Sequence, residues 1–390
     1  MDVQKRHIDH TLLTHFAKYK QVLLLLGARQ VGKTTILRKL FPSAEYFLVD
    51  NAPILNTFET YDINSYNQII HPQTKQVIID EIHLLSNPGR CIKIIYDLRP
   101  ELKIIVTGSS SLHIKNKTGE SLAGRKIEYK LYPLTFSEYL KQKGINQDLD
   151  TDIFENIISP DQPKQRALLF DLKETLCNIL LFGTYPQIIN NPKDTLYLKN
   201  LIESVIFKDI IDLNLIENKT DALNLLRLLA YQIGNIINYS EIARTLSIDI
   251  RTVKRYISIF EDSFIIFRLY PFSNNKRGEL SKSPKVYFYD TGLRNALIND
   301  FNDIDIRPDK GALFENFIIT EVLKSNEYGN KGYKINYWRT TSGAEVDLVI
   351  SKDNNVIGCE IKYNTGSINR SFINKYSNAI TKIILSKNFY

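Results

Sequence analysis

The sequence predicts an α/β chain: a parallel sheet in its N-terminal part, a helical middle, and a second, smaller α/β module at its C-terminal end. Three observations carry this. Apolar strand-like runs in "QVLLLL" (21–26), "QVIID" and "ELKIIVTG", completed by "AEYFLVD" (44–50) and "KIEYKLYPL" (126–134), alternate with helical patterns through the first third of the chain. From about residue 135 the apolar positions recur at helical spacing instead. Alternation with a period of two returns in "EVDLVISKDNNVIGCEIKY", residues 345–363.

A chain of 390 residues with 43% hydrophobic and 24% charged content suits two to three soluble globular domains. We place them at 1–155, 156–283 and 284–390. No apolar stretch approaches the roughly 18 residues of a membrane span, so no membrane partner is expected. Cys91, Cys177 and Cys359 are far apart and suggest neither a disulfide framework nor a zinc knuckle. The expected setting is reducing and cytoplasmic. A formal charge of +7 suggests a polyanionic partner, although a chain this rich in Ile, Asn, Lys and Tyr owes part of that charge to codon usage.

The first strand leads into "GARQVGKTTILRKL". Gly27, Gly32, Lys33 and Thr34 match G-x-x-x-x-G-K-[ST], the P-loop pattern, between a buried strand and a helix start. Glycines allow a tight loop whose backbone N–H groups point at phosphate oxygens. The helix N-terminus adds positive potential. Gly27, Ala28, Arg29, Gln30, Val31, Gly32, Lys33, Thr34 and Thr35 are therefore the candidate nucleotide-binding residues. Lys33 is expected on the β and γ phosphates, and the Thr34 hydroxyl on Mg²⁺.

"QVIIDEIH" is a second buried strand ending in two acids. Asp80 is the expected Mg²⁺ partner, and Glu81 the residue that orients and deprotonates the attacking water. His83 reads as solvated or packed. A third strand, "ELKIIVTGSSS", ends in Thr107, Ser109 and Ser110, where a hydroxyl either senses the γ-phosphate or makes an ordinary turn. Asn87 and Pro88 read as the N-cap and first residue of a connecting helix. "NKTD" at 218–221 mimics a guanine-reading motif, but no D-x-x-G accompanies it, and ATP rather than GTP is the expected cofactor.

In the middle, "NYSEIARTLSIDIRTVKRYISIFEDSFIIFRLYPF" reads as helix, turn, helix, strand, within a winged helix at about 236–283. Ser240 and Asp249 are the expected caps. Ile250, Val253, Ile257 and Phe260 form the apolar side of the second helix. Arg251, Thr252, Arg255 and Ser258 lie away from it, with Lys254 on the flank, as in a helix that contacts DNA or RNA. "SNNKRGELSKS" would be a basic wing. The same layout also serves as plain scaffold.

The C-terminal module places Glu315 on an amphipathic helix and Asp347, Glu360 and Lys362 on a hairpin turning at Asp353-Asn354. That register sets Val346 opposite Ile361, Leu348 opposite Cys359 and Ile350 opposite Ile357 on one apolar face. It sets Asp347 opposite Glu360 on the other, where like charges repel. Two readings stand. Glu315, Asp347 and Glu360 hold a second Mg²⁺ or Mn²⁺ with Lys362 beside it, as in a nuclease. Alternatively, Lys362 pairs with Glu345 and Glu360 in a salt-bridged face.

Together, "GARQVGKTT", "VIIDEIH", "VTGSSS", "SLAGR", "PLTFSEYL", "FGTYPQII" and "GAEVDLVI…CEIKY" make the chain resemble a family of prokaryotic AAA-type ATPases. These join a P-loop domain to a C-terminal PD-(D/E)XK nuclease-like domain of restriction-endonuclease type. The resemblance covers nearly the whole chain. It implies ATP binding at Gly27 to Thr34, with Asp80 and Glu81 as the Walker B pair. It makes Arg125 of "SLAGR" a charge-stabilising arginine near the γ-phosphate, in cis or from a neighbouring copy in an oligomer. Three functions follow as expectations: a Mg²⁺-dependent ATPase driving a nucleic-acid-binding tail, a nucleotide-gated switch with a dead nuclease fold, or an active DNA nuclease.

Overall fold

The computed structural model of the chain describes residues 5–109, 122–145, 152–159, 172–204, 215–273, 283–368 and 370–389. It forms two compact units, one of residues 1–132 with 208–215 and 262–264, the other of 133–207, 216–261 and 265–390. The described residues 133–145 and 152–155, grouped by sequence with the N-terminal domain, pack in the second unit. Ser110, most of the expected wing (274–282) and most of "SPDQP" lie outside the described residues.

The first unit is built on a five-stranded sheet: β1 Val22–Leu26, β2 Glu45–Leu48, β3 Gln76–Asp80, β4 Lys103–Gly108 and β5 Lys126–Lys130, in the order β2-β3-β4-β1-β5. Every neighbouring pair is parallel. β1 carries five consecutive apolar residues because it lies inside the sheet and is buried throughout. Chain direction puts the carboxyl ends of β1, β3 and β4 on one edge, where α/β sheets hold their ligands. Helix Lys33–Leu40 leaves β1 there. Asn87 caps helix Pro88–Leu98 by accepting from the Arg90 N–H, with Pro88 at its start.

In the second unit, helices Lys173–Phe182, Thr195–Ile202 and Lys219–Tyr231 pack around helix Thr291–Ile298. A buried polar network ties Thr291–Ile298 to the first and third of these helices. Asp290 accepts from the N–H groups of Leu293 and Thr184, and the Asn295 amide donates to the Leu180 and Leu181 carbonyls, left open at a helix end. Arg294 donates to the Ala230 carbonyl, 2.8 Å away.

Helices Tyr239–Leu246 and Ile250–Asp262 follow, then β6 Ile266–Leu269, paired antiparallel with β7 Lys285–Phe288. Asn238, not Ser240, caps the first of these helices, because its carboxamide accepts from the Glu241 N–H. Asp249 accepts from the Arg251 N–H as expected.

The C-terminal sheet runs β11-β10-β9-β8, from β8 Lys334–Arg339, β9 Glu345–Lys352, β10 Asn355–Lys362 and β11 Ala379–Leu385. β10 pairs antiparallel with β9 and parallel with β11. Ile350 faces Ile357 and Leu348 faces Cys359, and Asp353 takes a φ of 52° in the turn. Val346 departs from the expected face. Against β8 the register slips, with Asn336 opposite Val349 but Trp338 opposite Val346. The extra residue in β9 inverts the alternation. Val346 thus joins Val349 in a cluster with Trp338, Phe372 and Tyr376.

Candidate functional site

The loop between β1 and helix Lys33–Leu40 is shaped by its glycines. A Cβ on Gly27 would lie 2.3 Å from the Leu131 carbonyl oxygen, and Gly32 has a φ of +98°. Lys33 is buried and donates to the carbonyls of Gly27 and Ala28 at 2.9 and 3.0 Å. Its ammonium therefore lies within the curve of the loop.

Asp80, at the end of β3, gathers three hydroxyls. Oδ2 accepts from Thr34 Oγ1 at 2.6 Å and Tyr46 OH at 2.5 Å, and Oδ1 accepts from Thr107 Oγ1. Thr107 also accepts from the Glu81 N–H at 3.1 Å. The neighbouring pairing of β3 with β4 makes this bridge possible. Glu81 follows with a φ of 58°, and its carboxylate lies 3.2 Å from His83 Nδ1. Burial pushes the Glu81 carboxyl above its ordinary range, with Lys33 and Arg29 pulling the other way. The hydroxyl and carboxylate oxygens of Thr34 and Asp80 suit a hard divalent cation.

The structure does not bring Arg125 to this edge. Arg125 precedes β5, and its carbonyl accepts from the N–H of Val22, the first residue of β1. The loop leaves the other end of β1. Its guanidinium instead binds Asp97, with Nε 3.1 Å from Oδ1. Arg125 thus lies at the end of the sheet away from the glycine loop.

Two residues at the nucleotide loop escaped the sequence reading. Arg6, only 5% exposed, donates to the carbonyls of Val31 in the loop and Tyr132 beyond β5. Tyr46 holds Asp80 while the Arg38 guanidinium lies 3.9 Å from its ring centre. Neither sits in a motif. The "NKTD" tetrapeptide proves to be a helix start, since Asn218 accepts from the Thr220 and Asp221 N–H groups.

On the second helix of the pair, Arg251 and Arg255 are exposed and Thr252 half-buried, with Val253, Ile257 and Phe260 inside. Ile250 is only half-buried. Arg255 reaches Glu217 at 2.9 Å, and the Lys254 ammonium lies 5.5 Å from the Tyr239 ring centre.

In the C-terminal sheet the acids meet lysines. Asp347 accepts from the Ile361 N–H and from Lys362 Nζ, both at 2.8 Å, and Glu360 lies 3.4 Å from Lys362. Glu315 accepts from Tyr287 OH at 2.6 Å and Lys285 Nζ at 3.2 Å. Glu345 binds Lys285 at 2.5 Å and Arg339 at 3.4 Å, so its expected pairing with Lys362 is replaced. Burial works against the Lys285 charge, yet Glu315 and Glu345 outweigh it and raise its pKa. Burial, with Asp347 adding, pushes the Glu315 carboxyl up despite Lys285. Among the described residues no group of three His, Cys, Asp or Glu side chains is arranged to hold a metal ion. Two ammonium groups, Lys285 and Lys362, contact the four acids here, in the place expected for a second metal.

Residues 19–140 match the family model described as an AAA domain. Residues 173–304 and 310–388 match two models described as domains of unknown function, DUF8612 and DUF4143. The chain is 26% identical over 377 residues to the uncharacterized protein MJ1637 of Methanocaldococcus jannaschii, covering 89% of this chain and 78% of the relative. It is 26% identical over 357 residues to the uncharacterized protein Rv2008c of Mycobacterium tuberculosis, covering 90% and 72%. Among solved structures, the Walker-type ATPase PABY2304 of Pyrococcus abyssi aligns with 76% of this chain and 99% of its own, at 15% identity and a TM-score of 0.48. The matched loop, parallel sheet and strand-end acids make the N-terminal unit an AAA-type P-loop ATPase fold.

Proposed function

We propose, from the premise that the N-terminal unit is an AAA-type P-loop ATPase fold, that this protein binds ATP with Mg²⁺ and hydrolyses it. The observation that carries this is the contact between Thr34 and Asp80: groups 46 residues apart meet at 2.6 Å beside the Lys33 loop. Amides of residues 27–35 would receive the phosphates, and Lys33 would exchange two carbonyls for β- and γ-phosphate oxygens. Thr34 and Asp80 would hold Mg²⁺, which neutralises phosphate charge when bound. Glu81 orients the attacking water and takes its proton. Arg125 would serve only a neighbouring copy.

The test is ATP turnover by the full chain. Lys33→Ala should abolish it, and Glu81→Gln should retain nucleotide binding while lowering kcat by about 10²–10⁴-fold. Turnover unchanged in Lys33→Ala would disprove this mechanism.

The helix bearing Arg251, Thr252 and Arg255 is proposed to contact nucleic acid as part of a winged helix, supported by its exposed basic side and the β6–β7 pair behind it. Replacing both arginines by alanine should flatten the dependence of log K on log salt by about 1–2; an unaltered slope would remove this role. The C-terminal module is proposed to keep a nuclease-like fold without cleavage, because Lys285 and Lys362 already engage oxygens of Glu315, Glu345, Asp347 and Glu360 that a metal would need. Plasmid nicking with Mg²⁺ or Mn²⁺ that Asp347→Ala removes would overturn that part.

A further inference from the structure

His83 is 1% exposed in the short turn Ile82–Leu84 after β3. Its Nε2 lies 3.1 Å from Ser109 Oγ, and its Nδ1 lies 3.2 Å from the Glu81 carboxylate. Ser109, just past β4, is itself buried at 2% exposure. A packing histidine needs only to have its nitrogens satisfied, and backbone carbonyls serve that purpose. This one instead faces two side chains at the ends of adjacent strands, one of them the candidate base. The chain Glu81–His83–Ser109 runs beside a second link between the same strands, Asp80–Thr107. In the tautomer where Nε2 accepts from the Ser109 hydroxyl, Nδ1 carries the proton on the side of the Glu81 carboxylate. The 3.2 Å contact to Glu81 lacks hydrogen-bond alignment here, and contacts of catalytic bases commonly align only in the substrate complex.

We propose that His83 is a positioning residue for ATP hydrolysis: it ties the Glu81 carboxylate to Ser109, so that the direction of the base is set by the tip of β4. The inference rests on the ATPase reading above. The loop cations Lys33 and Arg29 attract the same carboxylate. Once aligned in the nucleotide complex, the His83 contact would hold Glu81 against that pull, available to water rather than collapsed onto Lys33. His83 touches no phosphate, so its loss acts on kcat and not on nucleotide affinity.

The experiment uses the full chain: steady-state ATP turnover, together with the dissociation constant of a fluorescent ATP analogue, for wild type, His83→Ala, His83→Asn, Ser109→Ala and the double variant His83→Ala/Ser109→Ala. His83→Ala should lower kcat about 10–100-fold, with KM and the dissociation constant within about two-fold. His83→Asn keeps a donor near the Nδ1 position and should recover part of the loss. The double variant should be no slower than His83→Ala, because both residues act through one chain. An unchanged kcat in His83→Ala, losses that multiply in the double variant, or KM rising in step with the fall in kcat would overturn the proposal. If His83→Ala does not fold, Ser109→Ala decides: kcat must fall at constant KM, and an unchanged kcat refutes the tether. Absence of turnover in the wild type would sink the parent reading and this inference with it. Wild-type turnover with an indifferent His83 sinks the inference alone.

Discussion

Lys285 lies between Glu315 and Glu345 with 4% of its side chain exposed. Removing one partner of a buried ion pair strands the other, at a cost of about 3–5 kcal/mol. Lys285→Met should therefore lower the melting temperature clearly, and a melting curve checks it; a change below about 1 kcal/mol would mean the acids do not depend on this lysine. The pH dependence has a definite sign. For Lys285 and Lys362, burial opposes the charge, but their acid neighbours win and raise both pKa values above the usual 10.5. A raised lysine pKa contributes stability fully below 10.5 and loses it as pH climbs through the folded value. Melting should thus weaken above about pH 10.5, and less so in Lys285→Met. None of this was readable from "SPKVYFYD", where Lys285 is one cation opening an apolar run. Its partners lie 30 and 60 residues downstream. Arg6 was hidden for the same reason, its partner Tyr132 being 126 residues away.

Secondary-structure elements were legible where the signal was contiguous. The inner strands of the first sheet announced themselves as apolar runs, its edge strands β2 and β5 by their place in the alternation of strand and helix, and the β9–β10 hairpin by alternation and its turn pair. The bulge in β9 was not legible, because an extra residue is defined only against the partner strand β8. Caps were partly legible. Asp249 and Asn87 act as read, whereas Asn238 displaces Ser240. Asn218 turns an apparent nucleotide motif into an N-cap. Asn218→Ala should accordingly cost about 1 kcal/mol of stability and leave the preference for adenine over guanine nucleotide unchanged. Thermal melts and competition with GTP read the two halves of that expectation separately. A lost nucleotide preference would return the tetrapeptide to a recognition role.

At the scale of the whole chain, two compact units make the response to ligand divisible. A ligand that binds only the folded first unit raises that unit's stability by RT ln(1 + [L]/Kd), about 2.7 kcal/mol at a hundred-fold excess over Kd. Calorimetry should show ATP with Mg²⁺ raising the melting transition of the N-terminal unit, with Lys33→Ala abolishing the shift. A shift that survives in Lys33→Ala would place binding elsewhere. Among the described residues no helix is long and apolar enough to cross a membrane. Sequence by itself determined the parallel sheet, the glycine loop with its lysine and threonine, and the pairing of Leu348 with Cys359. These depend on periodicity and on neighbours within a few residues. Tertiary structure alone decided that Arg125 lies at the far end of β1, that Thr107 and Tyr46 clasp Asp80, that His83 lies between Glu81 and Ser109, and that lysines meet the C-terminal acids. The physical reason is that a strand's direction and the residues across from it are set by chain segments distant in sequence, which local pattern does not encode.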